Sequence, residues 1–167
     1  MNNKKIINIC ETGLFLALVF IATFALKIPY PFGYLHLGDT MIFLAVILLG
    51  RKKGVIAGSL GAAMSDFFLG YMVWAGPTCL FKGLMAFTTG TLYNKLSPNG
   101  DKKAFIIAAL SGGLLQCAGY TVATYFIYGG TGAAIGSLPG NLLQTLVGIV
   151  GAYVLYIPLK NLRKREY

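Results

Sequence analysis

Charge is scarce in this chain. Only 11% of its 167 residues are charged, where a soluble domain normally carries about a quarter. Acids are scarcest, five against fourteen bases, for a formal net charge of +9. A single histidine, His36, excludes HExxH and other histidine-rich zinc motifs. Cys10, Cys79 and Cys117 share no CxxC spacing and read as small apolar fillers. GxSxG is absent, and so is GxxxxGK[ST], which rules out ATP hydrolysis through a P-loop. No catalytic residue, metal ligand or cofactor is expected from such a chain.

What is abundant is apolar. Hydrophobic residues make up 56% of the sequence, aromatic ones 13%, and mean hydropathy is +0.70. Most of the outer surface must therefore face lipid. Spanning the hydrocarbon takes about 20 apolar residues as helix. The candidates are Ile6–Lys27, Gly38–Gly50 (short for a span), Gly54–Leu69, Pro77–Leu96, Lys103–Tyr128 and Leu138–Leu159. The first run is too long for a signal peptide and reads as a retained helix. The expectation is an all-α bundle of six transmembrane helices forming one domain over residues 1–167.

Basic residues orient that bundle. They cluster in the N-terminus, the 51–53 turn, the 95–103 turn and the C-terminal tail, as 2, 3, 3 and 4 Lys/Arg. The alternate loops, 28–37, 70–77 and 129–137, carry none. Positive loops stay cytoplasmic, so both termini are expected inside. Clusters at the ends of apolar runs read as topology, not as a nucleic-acid surface. Ser97-Pro-Asn-Gly-Asp101 is a turn between helices four and five.

The outer loops are aromatic and glycine-rich. Tyr30, Phe32 and Tyr34 suit interfacial anchors, and glycine-rich stretches can also fold inward as lids. Small residues four apart mark close helix contacts: Gly13/Ala17, Gly54/Gly58, Ala57/Gly61, Ala108/Gly112 and Gly148/Ala152. Most such pairs pack a protein's own helices, and the pair on helix one could instead dock another membrane subunit. The two halves show no internal repeat of the kind many secondary transporters use.

Ionisable groups inside a span cost about 2.5–3.5 kcal/mol on insertion scales and mark functional sites. Glu11 lies near the cytoplasmic end of helix one, within reach of water or of Lys4 and Lys5. Asp39 suits an N-terminal cap of helix two as well as a ligand contact. Asp66 and Lys82 lie one turn from the same outer loop and are expected to pair beneath Tyr71 and Trp74. Gln116, Tyr120 and Thr124 share a face of helix five, and Asn141, Gln144 and Thr145 a face of helix six. In lipid these groups either bond between helices or line a polar cavity. A cavity walled by aromatic rings suits a small, flat, polar heterocycle. The candidate binding residues are Asp66, Tyr71, Trp74, Lys82, Gln116, Tyr120, Asn141 and Gln144.

Leu35 to Ala86 carries a further pattern. Leu37-Gly-Asp39, the LLG…G…AG…G run, Asp66 followed by Gly70-Tyr71, Pro77-Thr78 and Lys82-Gly83-Leu84 occur in that order. This run resembles the substrate-binding S components of energy-coupling factor (ECF) vitamin transporters. The resemblance implies a six-helix subunit of the bacterial cell membrane that captures a vitamin from outside. Its implied partners are a transmembrane coupling subunit and two cytoplasmic ATPases, with Gly13 and Ala17 on the docking face. The family often has AxxxA there, from which Gly13-Leu-Phe-Leu-Ala17 departs. Overall likeness is greatest to the pyridoxine and hydroxymethylpyrimidine types. Two other readings stand beside it: an ion-coupled carrier using Asp39 or Asp66 as relay, and a membrane enzyme.

Overall fold

The structure is a computed structural model that describes residues 3–25, 27–30, 33–96 and 102–163. Phe32, the Ser97–Asp101 turn and the basic residues beyond Arg163 lie outside them. Six helices follow one another among the described residues: α1 (Asn3–Phe24), α2 (Gly38–Leu49), α3 (Arg51–Phe68), α4 (Met72–Leu96), α5 (Lys102–Tyr128) and α6 (Thr131–Arg163). Between α1 and α2 an antiparallel hairpin pairs β1 (Lys27–Tyr30) with β2 (Gly33–His36). The all-α expectation thus holds for the bundle, and the first outer loop is corrected to a β-hairpin.

Among the described residues, three helices are long and apolar enough to cross a membrane: α1, α5 and Thr131–Tyr156 of α6. Their outward faces are apolar, with Leu142, Leu146, Val150 and Val154 exposed at four-residue spacing along α6. The short α2 is apolar all round, and most of it is buried against α1, α3, α4 and α6. A helix hydrophobic on every face belongs in an interior.

Three helix starts differ from the sequence expectation. α3 begins at Arg51 because Gly50 alone makes the turn, at φ 87°, a conformation glycine adopts without steric cost. α4 and α6 start well before Pro77 and Leu138, so the expected 70–77 and 129–137 loops shrink to short turns, and no glycine-rich lid forms there. At the end of α3, Gly70 N–H bonds to Phe67 O at 3.2 Å and Tyr71 N–H to Asp66 O at 2.8 Å. This pattern is a Schellman cap, which requires the left-handed Gly70. It folds Tyr71 back over Asp66.

Nearly every small-residue pair is consumed inside the bundle. A Cβ on Gly54 or Gly58 would strike Val46 or Ile42 of α2, and one on Gly61 would strike α1. Gly112 faces Met85 and Thr89 of α4, and Gly148 faces Asp39. Gly13 and Ala17 differ, since both are exposed on α1. At the other end, Lys53 pairs with Glu11 at 2.5 Å. Arg51 donates to Thr91 Oγ1 at 3.0 Å and lies over the Phe87 ring.

Close approach predicts a sharp contrast between glycines. A methyl at Gly112 would sit 2.6 Å from Met85 O, whereas Gly132 has nothing within 4 Å. Gly112→Ala is expected to destabilise the protein by about 1–3 kcal/mol, and Gly132→Ala to leave it unchanged or slightly more stable. Thermal unfolding in detergent measures both.

Candidate functional site

A cavity of about 60 Å³ lies between the hairpin and α3, α4, α5 and α6. All eight candidate residues line it: Asp66, Tyr71, Trp74, Lys82, Gln116, Tyr120, Asn141 and Gln144. Thr23, Tyr34, His36, Thr78 and Thr124 complete the wall. The polar groups of the apolar helices therefore converge on one space.

Its floor is a closed ring of three side chains. Lys82 Nζ donates to Asp39 Oδ1 at 2.5 Å and to Gln116 Oε1 at 2.9 Å, while Gln116 Nε2 donates to Asp39 Oδ2 at 2.9 Å. Each of the three is at most 1% exposed. The expected Asp66–Lys82 pair is thus replaced by Asp39–Lys82. Asp39 also makes no side-chain cap at the start of α2. It sits in the first turn of a buried helix, where solvent cannot hold its charge, and Lys82 supplies the counter-charge. An ammonium has three hydrogens; two are engaged, and Nζ lies 5.3 Å from the Tyr120 ring centroid beside the cavity.

Aromatic rings form the walls. Trp74 packs against Tyr120 with centroids 5.8 Å apart and against Tyr128 at 6.1 Å. Tyr120 donates its hydroxyl hydrogen to Thr78 Oγ1 at 2.9 Å. Across the mouth, Tyr34 and Tyr71 lie 5.2 Å apart. Thr145 serves helix packing instead, meeting Cys117 at 3.4 Å.

The hairpin closes the top through two contacts. Tyr34 donates to Asp66 Oδ1 at 2.5 Å. Burial, and then the nearby Asp66 carboxylate, pushes the Tyr34 phenol up, so its proton stays on the oxygen. His36 N–H donates to Gln144 Oε1 at 3.1 Å. Burial first, and the Lys82 ammonium second, lower the His36 ring from 6.5 to about 3. A neutral imidazole carries one hydrogen, leaving one acceptor nitrogen. Gly38 N–H approaches Nδ1 at 3.0 Å and Gln144 Nε2 approaches Nε2 at 2.7 Å, so only one of the two can donate. Gln144 is the movable partner.

Tyr34 and His36 escaped the sequence reading because they sat in an assumed loop. Their signal was the period of two, which turns alternate strand residues to one side. Three cavity-lining polar residues hold buried atoms without a hydrogen-bond partner: Thr23 Oγ1, Asp66 Oδ2 and Asn141 Nδ2. Unsatisfied groups of this kind cost about 1–3 kcal/mol each.

Breaking a buried pair leaves one charge uncompensated, at about 3–5 kcal/mol. Asp39→Ala and Lys82→Met are each expected to lose stability on that scale. The double variant is expected to lose much less than their sum. Denaturation of the three proteins in bicelles provides the comparison; additive losses would contradict the pairing.

The chain was compared with known proteins. The family described as "ECF-type riboflavin transporter, S component" matches residues 3–164. A Pyrococcus woesei protein, "Uncharacterized protein in gap 3'region", is 32% identical over 86% of this chain and 96% of its own length. The thiamine precursor transporter HmpT of Lactococcus lactis subsp. cremoris (strain MG1363) is 30% identical over 93% of this chain and 89% of its own. A solved S component of a bacterial ECF transporter shares the fold, with a TM-score of 0.75 at 19% identity over 96% of this chain and 99% of that one. A family match along nearly the whole chain and two relatives at this identity are decisive: the chain belongs to the S components of ECF-type transporters.

Proposed function

We propose that this subunit captures a small, single-ring vitamin or precursor, pyridoxine or hydroxymethylpyrimidine, at the outer face of the bacterial cell membrane. It then delivers the ring to a transmembrane coupling subunit driven by two cytoplasmic ATPases. The observation that carries this reading is the convergence of eight buried or half-buried polar and aromatic residues on one compact cavity. Trp74 and Tyr71 stack on the ring, while Asp66, Lys82, Gln116, Tyr120, Asn141 and Gln144 bond its polar edge. The name of the Lactococcus relative, a thiamine precursor transporter, supports a pyrimidine. The matched family's name points to riboflavin, but about 60 Å³ suits one ring better than three fused ones.

In this reading residues 1–167 form a single binding domain that crosses the membrane six times, with both termini cytoplasmic. The basic clusters at 51–53 and 102–103 support that orientation. Gly13 and Ala17 offer the coupling subunit a flat stripe on α1, because the other small pairs are occupied within the bundle. An ion-coupled carrier relaying through Asp39 fits less well, since both oxygens of that carboxylate are engaged by Lys82 and Gln116.

Trp74 is the only tryptophan and lines the cavity, so its emission reports on the site alone. Titration of the purified chain with hydroxymethylpyrimidine or pyridoxine is expected to quench or shift that emission. No response to any B-group vitamin would remove the site from its proposed place. Gly13→Leu with Ala17→Leu is expected to leave that titration intact while abolishing copurification with the coupling subunit.

A further inference from the structure

The cavity's unpaired atoms specify more than a flat ring. Asp66 is 4% exposed, and its two oxygens have different surroundings. Oδ1 accepts from Tyr34, whereas Oδ2 has no hydrogen-bond partner although it is fully enclosed. Thr78 stands beside this carboxylate; its oxygen accepts from Tyr120, so its own hydroxyl hydrogen can turn to Asp66. A carboxylate oxygen has two lone pairs, so even a contact from Thr78 leaves room for another donor. Asn141 Nδ2 presents the opposite need, a buried donor with no acceptor. Both residues line the same cavity.

Charge sets a second condition. Lys82 is the sole lysine or arginine among the described lining residues, and Asp39 already neutralises it. His36 is held neutral. A phosphate ester would find no unpaired cation here, and it would face the Asp66 carboxylate. Burying such an anion without a partner is prohibitive.

We infer that Asp66 sets the ligand class: the cavity selects an unphosphorylated heterocycle bearing an amino group, whose N–H meets Asp66 Oδ2. An acceptor on the same ligand, a ring nitrogen or a hydroxyl, meets Asn141 Nδ2. The inference rests on the vitamin-capture reading and narrows it, favouring an aminopyrimidine over pyridoxine, which has no amino group. It makes Asp66 a specificity-determining residue. A site built to receive a donor rejects the analogue that lacks it more strongly than a hydrophobic wall rejects a change of size.

The test is binding of four probes to the purified full chain, followed by Trp74 emission and calorimetry. The probes are hydroxymethylpyrimidine, its analogue with oxo in place of amino, its phosphate monoester, and pyridoxine. The amino form is expected to bind at least ~10-fold more tightly than the oxo form and than pyridoxine, with no detectable binding of the monoester. Asp66→Asn, with Tyr34 still donating to the amide oxygen, puts an N–H where Oδ2 stood. It is expected to reverse the amino-to-oxo preference. Gel filtration and thermal unfolding establish whether that variant folds; if it does not, the comparison on the unaltered chain decides. Equal binding of amino and oxo forms, or preference for the oxo form, overturns the inference while leaving vitamin capture standing. So does tight binding of pyridoxine alone or of the monoester. Failure of all four probes to bind overturns both.

Discussion

The contact between Asp39 and Lys82 holds the two charges buried deepest in the bundle, and the surrounding structure is arranged to keep them paired. Neither charge can reach water, and lipid offers neither a partner. Their attraction fixes the rotation of α2 against α4, and Gln116 closes the ring by adding α5. Three helices are thereby held together at one level of the bundle. The fourth wall follows from size, because Gly148 lets α6 pass against Asp39 where a methyl would lie 2.7 Å from its Cβ. Polar pairing chooses the geometry and small residues make it reachable.

The same constraint explains why polar groups lie among the apolar residues of the interior while the exterior is apolar. Helices in lipid gain little from hiding leucines from their surroundings, so hydrogen bonds and close packing must carry association. Outward positions on α5 and α6 are accordingly Leu114, Val122, Phe126, Leu146 and Val150, while Gln116, Thr124 and Gln144 turn inward. An interior organised by hydrogen bonds is also well suited to recognition. Many of its polar atoms are used up in holding helices together, and three that are left over, on Thr23, Asp66 and Asn141, face a common space.

How far the sequence foretold this depends on the distance over which its signals act. Polar residues spaced three or four apart within apolar helices exposed Gln116 and Tyr120 on one face of α5 and Asn141 and Gln144 on one face of α6, because helical periodicity is local. Asp66, Tyr71, Trp74 and Lys82 emerged from their position beside one outer turn. Pairing was not legible. Asp66 and Lys82 are neighbours in the chain's plan, yet Lys82 takes its counter-charge from Asp39, 43 residues away. That choice depends on how α2 inserts into the bundle. The hairpin was obscured for a different reason: proline and glycine in residues 28–37 read as an irregular loop, although Tyr34 and His36 already alternated as strand residues do. Likewise, Pro77 reads as a boundary but lies inside α4, past the first turn.

Asp66 joins the two parts of the subunit that matter for capture. One of its oxygens holds Tyr34, and with it the hairpin over the mouth; the other faces the cavity. In the proposed binding mode, a ligand donating to the second oxygen would share a carboxylate with the hairpin's anchor and rest beneath the Tyr34–Tyr71 contact. Occupancy and closure then favour each other, because a ligand shifts an equilibrium only through interactions that differ between its states. Opening the hairpin would take the Tyr34 donor from Asp66 and the roof from the cavity. With it closed over an empty cavity, Oδ2 and Asn141 Nδ2 remain unpaired. Only a filled, closed form would satisfy all of these groups, which accords with the capture and hand-over proposed above.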